Sequence, residues 1–284
     1  MQDFLVLKNG MRIPKLGMGT WFLGENKKTE NEEIKALQAG LKVGMTLIDT
    51  AEMYGRGQSE QLIGKAIQGY EREKIFLVSK VYPHNAGRSN IFKSVQRSLK
   101  NLQTEYLDLY LLHWRGAVPL SETVACMEQL VKEGKIRSWG VSNFDVDDME
   151  ELFSVPDGNH CVVNQVLYHL GSRGVEYDLL PWLEAHETLL MAYCPLAQAG
   201  SLRRGLLSNP TVKQIAKAHG ISEVQLLLAF ILRRKNVIAI PRSGKEQHVL
   251  RNWETKDVIL SEEDYKALDD SFPAPNRKTY LDIV

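Results

Sequence analysis

Short apolar runs of strand length alternate along the chain with longer amphipathic stretches, and seven of the runs stop abruptly at a polar residue able to do chemistry. TLID ends at Asp49, IFLVSK at Lys80, LDLYLLH at His113 and IRSWGVSN at Asn143. CVVNQ ends at Gln165, LLMAY at Tyr193 and VIAIPRS at Arg242 and Ser243. Runs rich in Val, Ile and Leu, separated by stretches of helical length, predict buried parallel strands joined by helical crossovers.

The first such unit pairs KLGMG with a helix over 29–43, where Ile34, Leu37 and Leu41 recur at helical spacing. Further strands are predicted near 46–49, 75–80, 107–112, 136–141, 161–165, 189–193 and 237–240. The helices between them fall near 58–69, 88–102, 119–133, 145–154, 176–187 and 209–219, with another after Ser222 and one over 245–252. Eight such units predict a TIM (β/α)8 barrel; a doubly wound sheet needs fewer strands and usually a glycine-rich first turn, and no GxGxxG occurs. In a parallel barrel, active sites are built at the C-terminal strand ends, so the polar ends should gather on one rim.

Outside the alternation, FLVLKNGMRIP predicts a hairpin turning at Asn9-Gly10, a dipeptide suited to positive φ. SEEDYKALDD predicts a last helix capped by Ser261, and the two-proline tail SFPAPNRKTYLDIV a loop over the barrel surface. No linker-like stretch interrupts the pattern, so residues 1–284 are read as one domain.

Composition narrows the partners. Lys plus Arg equals Asp plus Glu at 35 each, which gives no electrostatic reason to expect nucleic acid or an acidic membrane. Cys126, Cys161 and Cys194 form no CxxC pair, and no run approaches the length of a membrane span or signal peptide, so a cytoplasmic protein is expected. A monomer or weak oligomer is expected, acting on a small molecule.

Asp49 and Tyr54 lie five residues apart in LIDTAEMYG, one at a strand end and one just beyond. Lys80 closes a strongly apolar run, where a charged side chain needs a partner to offset its desolvation, and Asp49 on the neighbouring strand can supply it. A lysine beside a phenol would stabilise phenolate and lower the tyrosine pKa towards the range of a general acid. His113, on the next strand end, can donate a hydrogen bond to a carbonyl oxygen on which charge develops.

The segments LGMGTW, LIDTAEMYGRGQSEQLIGKAI, LVSKVY, LDLYLLHW, GKIRSWGVSNF, NQVLYH, AYCPLA and IPRSGKEQHVLRNW follow one another in the order of the aldo-keto reductases, which the chain resembles over nearly its whole length. The resemblance implies a barrel closed at its bottom by the N-terminal hairpin, and reversible NAD(P)H-dependent reduction of aldehydes and ketones. It assigns Tyr54 as general acid, Lys80 with Asp49 as the pair that tunes it, and His113 as the residue that orients the carbonyl. Ser142, Asn143 and Gln165 match the holders of the nicotinamide carboxamide, Tyr193 the aromatic that stacks on its ring, and Leu196 lies in the cofactor-side AYCPLA segment. Arg242 and Ser243 match contacts to the adenosine 2′-phosphate, and Asn252 the adenine contact.

Two departures matter. Where NADP-preferring members carry a second arginine this chain has His248, so NADPH is the expected cofactor with NADH also accepted. Cys194 replaces the common serine of AYSP, removing one hydroxyl near the pyrophosphate. Trp21, Met53, Tyr82 and Trp114 are expected to frame an apolar substrate cleft for a broad range of small aldehydes and ketones. No metal is expected: an isomerase or lyase on this barrel would need a carboxylate and histidine cluster, and the rim sets Asp49 and His113 among cations and amides. A regulatory subunit would not need all four candidate catalytic residues.

Overall fold

A computed structural model of the chain describes residues 3–198 and 201–284. Strands β1 (Phe4–Val6) and β2 (Arg12–Pro14) pair antiparallel about the expected turn, where Gly10 takes φ 85°. Eight parallel strands follow: β3 (Gly17–Gly19), β4 (Leu47–Asp49), β5 (Phe76–Val81), β6 (Leu109–Leu112), β7 (Trp139–Ser142), β8 (Val163–Leu167), β9 (Leu189–Tyr193) and β10 (Val237–Ala239). Each pairs with the next in chain order. Bridges from Leu16 to Ala239 and from Gly19 to Arg242 join first to last, so the sheet closes into the predicted barrel.

Closure depends on small residues. A methyl group on Gly19 would lie 2.8 Å from the Ile240 carbonyl oxygen, so only glycine lets the first strand approach the last there.

Two cores result. Inside the barrel, Leu47, Phe76, Val78, Leu109, Leu111 and Met191 stack with Leu5, Leu7 and Ile13, which places the hairpin as a plug at the N-terminal end. Between the strands and the surrounding helices lies a larger core that includes Leu37, Ile63, Leu99, Tyr110, Met127 and Phe230. The helices follow the predicted order with ends shifted by up to three residues; Glu30–Val43 ends in Gly44 at φ 97°, a left-handed C-cap.

Two features differ from the sequence reading. A helix over Ser201–Ser208 precedes Pro210–Ala218, and several strands begin two or three residues late: Leu107 and Ile136 pair only through an isolated parallel bridge before the regular ladder of β6 and β7 starts. The tail after Ser271 is a loop as predicted, tied down where Lys278 donates to Asp145 (3.0 Å) and Asp178 (2.8 Å). No single helix among the described residues is long and apolar enough to cross a membrane.

Candidate active site

The polar strand ends meet at one rim. A cavity of about 770 Å³ opens there, and Trp21, Asp49, Met53, Tyr54, His113, Trp114, Ser142, Asn143, Gln165, Tyr193, Leu196 and Arg242 all line it.

At its base the Lys80 ammonium is fully buried and donates to both oxygens of Asp49 (2.8 Å each), to the Thr50 carbonyl (2.8 Å) and to the Tyr54 hydroxyl (3.2 Å). The parallel register sets this up: Asp49 is level with Val78, so Lys80 stands two residues further on along the neighbouring strand. Tyr54 lies past the strand in a tight turn where Gly55, Arg56 and Gly57 all adopt positive φ before the helix Gln58–Ala66 begins. Since an ammonium can only donate, the Tyr54 oxygen is the acceptor and its own hydrogen stays free.

Electrostatics corrects one expectation. The net shift of Tyr54 is upward: burial, followed by the Asp49 carboxylate, pushes its pKa well above the ordinary value of 10, and the hydrogen bond from Lys80 does not offset them. The lysine charge is compensated by Asp49 at 2.8 Å, so the phenol sees a buried ion pair and not a lone cation. Burial also lowers Lys80, opposed by Asp49. His113 is pushed down to about 2, first by burial and then by Lys80, and is therefore neutral at physiological pH. Its ring meets that of Tyr54 edge-on with centroids 5.9 Å apart, and its Nδ1 is buried without a hydrogen-bond partner among the described residues.

Around the base runs a second tier. Ser142 donates to the Gln165 carbonyl (2.8 Å), Asn143 donates to the His113 carbonyl (3.2 Å), and Tyr193 donates to Asn143 Oδ1 (2.9 Å). Gln165 Nε2 donates to Asp49 Oδ1 (2.8 Å), joining this tier to the base. Four non-glycine residues at this rim, Phe22, Asn143, Cys194 and Ala197, hold positive φ, a conformation costing on the order of 1 kcal/mol or more each that clusters at functional sites.

Not every candidate reaches the cavity. Tyr82 stands one layer back: the turn Pro83–Asn85 carries its ring onto His84 and sets it edge-on to Trp114 at 5.6 Å and 88°, so it supports the wall. Ser243, His248 and Asn252 lie outside the lining, on the turn and helix (Glu246–Glu254) after the last strand, with Asn252 buried and His248 exposed. Arg242, also exposed, donates to the carbonyls of Trp21 (3.0 Å) and Phe22 (3.4 Å).

Other lining residues were missed. Phe22 stacks on Trp21 at 4.5 Å, and Arg115, Gln198 and Arg203 come from loops and a helix beyond the strands. Ile283 and Val284 arrive with the tail, for which no local sequence signal exists. Cys194 also lines the cavity; burial raises its thiol to about 11, so it is not an activated nucleophile. Among the described residues no group of three or more His, Cys, Asp or Glu side chains could hold a metal ion.

Known proteins share this arrangement of sequence and fold. Residues 15–272 match the family model described as the Aldo/keto reductase family. Methylglyoxal reductase YeaE of Escherichia coli K12 is 51% identical over 283 residues, spanning 100% of this chain and 99% of the relative. Glyoxal reductase of Bacillus subtilis 168 is 36% identical, spanning 95% and 92%. Among solved structures, an aldo/keto reductase from Klebsiella pneumoniae in complex with NADP and acetate is 50% identical and superimposes with a TM-score of 0.97, each chain fully covered. With a family match over nearly its whole length and a barrel of the same form, the chain belongs to the aldo/keto reductase family.

Proposed function

We propose that the protein reduces small aldehydes and 2-oxoaldehydes, methylglyoxal among them, to alcohols with NADPH. The observation that carries the reading is the Tyr54 hydroxyl: protonated, accepting from Lys80 at 3.2 Å, and placed on the cavity wall beside a neutral His113. The similarity to methylglyoxal and glyoxal reductases supports the substrate class, and the NADP-bound neighbour supports the cofactor.

The second tier fits a nicotinamide. Gln165 Nε2 is committed to Asp49, which leaves Oε1 as an acceptor without a partner among the described residues, suited to a carboxamide NH₂. Ser142 and Asn143 add a hydroxyl and an amide beside it, and the Tyr193 ring offers a flat apolar face. Arg242 and Ser243 would take the 2′-phosphate, with His248 and Asn252 on the helix behind them, and Leu196 would flank the pyrophosphate side. When bound, NADPH supplies the hydride that adds to the carbonyl carbon.

The remaining chemistry belongs to the chain. His113, neutral, leaves its buried Nδ1 as a lone pair and carries its hydrogen on Nε2, from which it donates to the carbonyl oxygen. As negative charge grows on that oxygen, Tyr54 gives it a proton. The phenolate left behind is stabilised by Lys80, held charged by Asp49. A raised tyrosine pKa keeps the acid loaded beforehand. Trp21, Phe22, Met53 and Trp114 offer the substrate mainly apolar contact, so a broad range of small carbonyl compounds follows.

Steady-state loss of NADPH absorbance with methylglyoxal tests the reading. Tyr54→Phe should bind NADPH as the wild type does while kcat falls by about 10²-fold or more. Wild-type turnover in that variant would sink the assignment.

A further inference from the structure

Glu52 is a buried carboxylate that the mechanism above leaves without a role. Its side chain is 3% exposed and lies between two segments that both lead to the cavity. One is its own, ending two residues later in Tyr54, and its backbone N–H donates to the Lys80 carbonyl (3.2 Å). The other is the loop after Lys80: Glu52 Oε1 accepts from the Tyr82 backbone N–H (2.7 Å) and the Asn85 amide (3.1 Å). Oε2 accepts from Arg97 (2.8 Å), whose own side chain is 61% exposed. Tyr82 in turn meets Trp114, which lines the cavity.

A carboxylate so placed has a definite mechanical effect. Charge-assisted hydrogen bonds to a backbone N–H and a side-chain amide fix the Tyr82 main chain more firmly than neutral ones. The Tyr82 ring is then the edge against which Trp114 rests. From these contacts we infer that Glu52 is a positioning residue for carbonyl substrates: it locks the turn carrying Tyr54 to the loop that props Trp114, and so sets the gap between proton donor and substrate wall. The role rests on the reduction proposed above. It separates from cofactor binding, since Ser142, Asn143, Gln165 and Tyr193 come from three other strand ends and, among the described residues, none of them hydrogen-bonds the Glu52 carboxylate, whose partners are Tyr82, Asn85 and Arg97.

The test uses the full-length protein and four forms of it: wild type, Glu52→Gln, Trp114→Ala and the double variant. Glutamine keeps the shape but removes the charge and turns one oxygen into a donor facing Arg97. Glu52→Gln should raise the KM for methylglyoxal about tenfold, since misplacement of reacting groups by a fraction of an ångström is costly. The dissociation constant for NADPH, read by quenching of protein fluorescence, should stay within about twofold. In the Trp114→Ala background the same substitution should add less than about twofold, because its route of action is already gone.

An unchanged KM, an equal loss in both backgrounds, or NADPH affinity falling in step with KM would each overturn the role. Should Glu52→Gln fail to fold, Asn85→Ala removes one donor while leaving the carboxylate paired; it should raise KM about threefold with the same dependence on Trp114, and no change would overturn the inference. A wild type without aldehyde turnover would instead overturn the proposed function, and this role with it.

Discussion

Lys80 and Asp49 form a fully buried ion pair in which the ammonium lies 2.8 Å from each carboxylate oxygen, and among the described residues no other cation touches that carboxylate. Gln165 adds a neutral donor to one of the same oxygens. The pair is thus the point where the candidate proton-transfer groups and the candidate nicotinamide holders share one atom.

Breaking it from one side should cost more than removing it. Lys80→Met leaves Asp49 buried without a counter-charge and should destabilise the fold by about 3–5 kcal/mol. The Lys80→Met and Asp49→Asn double variant should recover part of that loss, as measured by urea unfolding with an unchanged m-value. Both forms should lose nearly all turnover, since neither can steady a phenolate at Tyr54.

Acid stability should report His113. Its folded value of about 2 lies below the ordinary 6.5, so between those values the unfolded chain binds the extra proton. Stability from this group is whole above pH 6.5 and drains away as pH falls towards 2. His169, lowered to about 4 by burial, adds to the same slope. Replacing His113 with Gln should flatten the loss between about pH 7.5 and pH 4.5, seen as converging unfolding midpoints for wild type and variant on acidification. Parallel pH curves would refute the assignment of a buried neutral imidazole.

Barrel closure can be probed by one methyl group. Gly19→Ala forces a Cβ to 2.8 Å from the Ile240 carbonyl, backbone that cannot swing aside, and should cost about 1–3 kcal/mol. Gly205→Ala is the control: it lies exposed in a helix with nothing within 4 Å, and should stabilise by about 0.5–1 kcal/mol. Thermal denaturation should move in opposite directions for the two.

Cofactor preference should respond at His248, exposed on the helix after the last strand. His248→Arg adds a permanent charge and should raise the ratio of kcat/KM for NADPH over NADH by about tenfold or less, the worth of one exposed anion contact. An unchanged ratio would mean that this position does not meet the phosphate.

Much of this was legible in the sequence because a parallel strand buried on both faces can tolerate a polar side chain only near its end. Asp49, His113, Ser142 and Tyr193 stand at or just past the ends of β4, β6, β7 and β9. Gln165 was placed correctly on the rim although β8 runs on to Leu167 beyond it. What the pattern could not convey was depth and direction. Tyr82 reads as well as Trp114 in sequence, yet the turn Pro83–Asn85 decides which ring reaches the cavity. The direction of the Tyr54 shift was equally hidden, since it depends first on how deeply the phenol is buried and then on the Asp49 carboxylate beside it. Phe22 and Ile283 join the lining through a positive-φ turn and a long-range tail, neither of which leaves a periodic trace.

The contact of Arg242 with the Trp21 carbonyl spans 221 positions of sequence. During synthesis, the first strand must therefore wait for almost the entire chain before it finds its last neighbour. Contacts of such separation carry a high loop-closure entropy and form late, which slows folding of the whole domain. An N-terminal fragment holding Asp49, Tyr54, Lys80 and His113 would possess every proposed proton-transfer group and still have no rim to mount them on. A nascent chain should accordingly gain the ability to bind nucleotide in one step, near its completion, and bound nucleotide should then shift the folding equilibrium of the entire barrel rather than of one lobe.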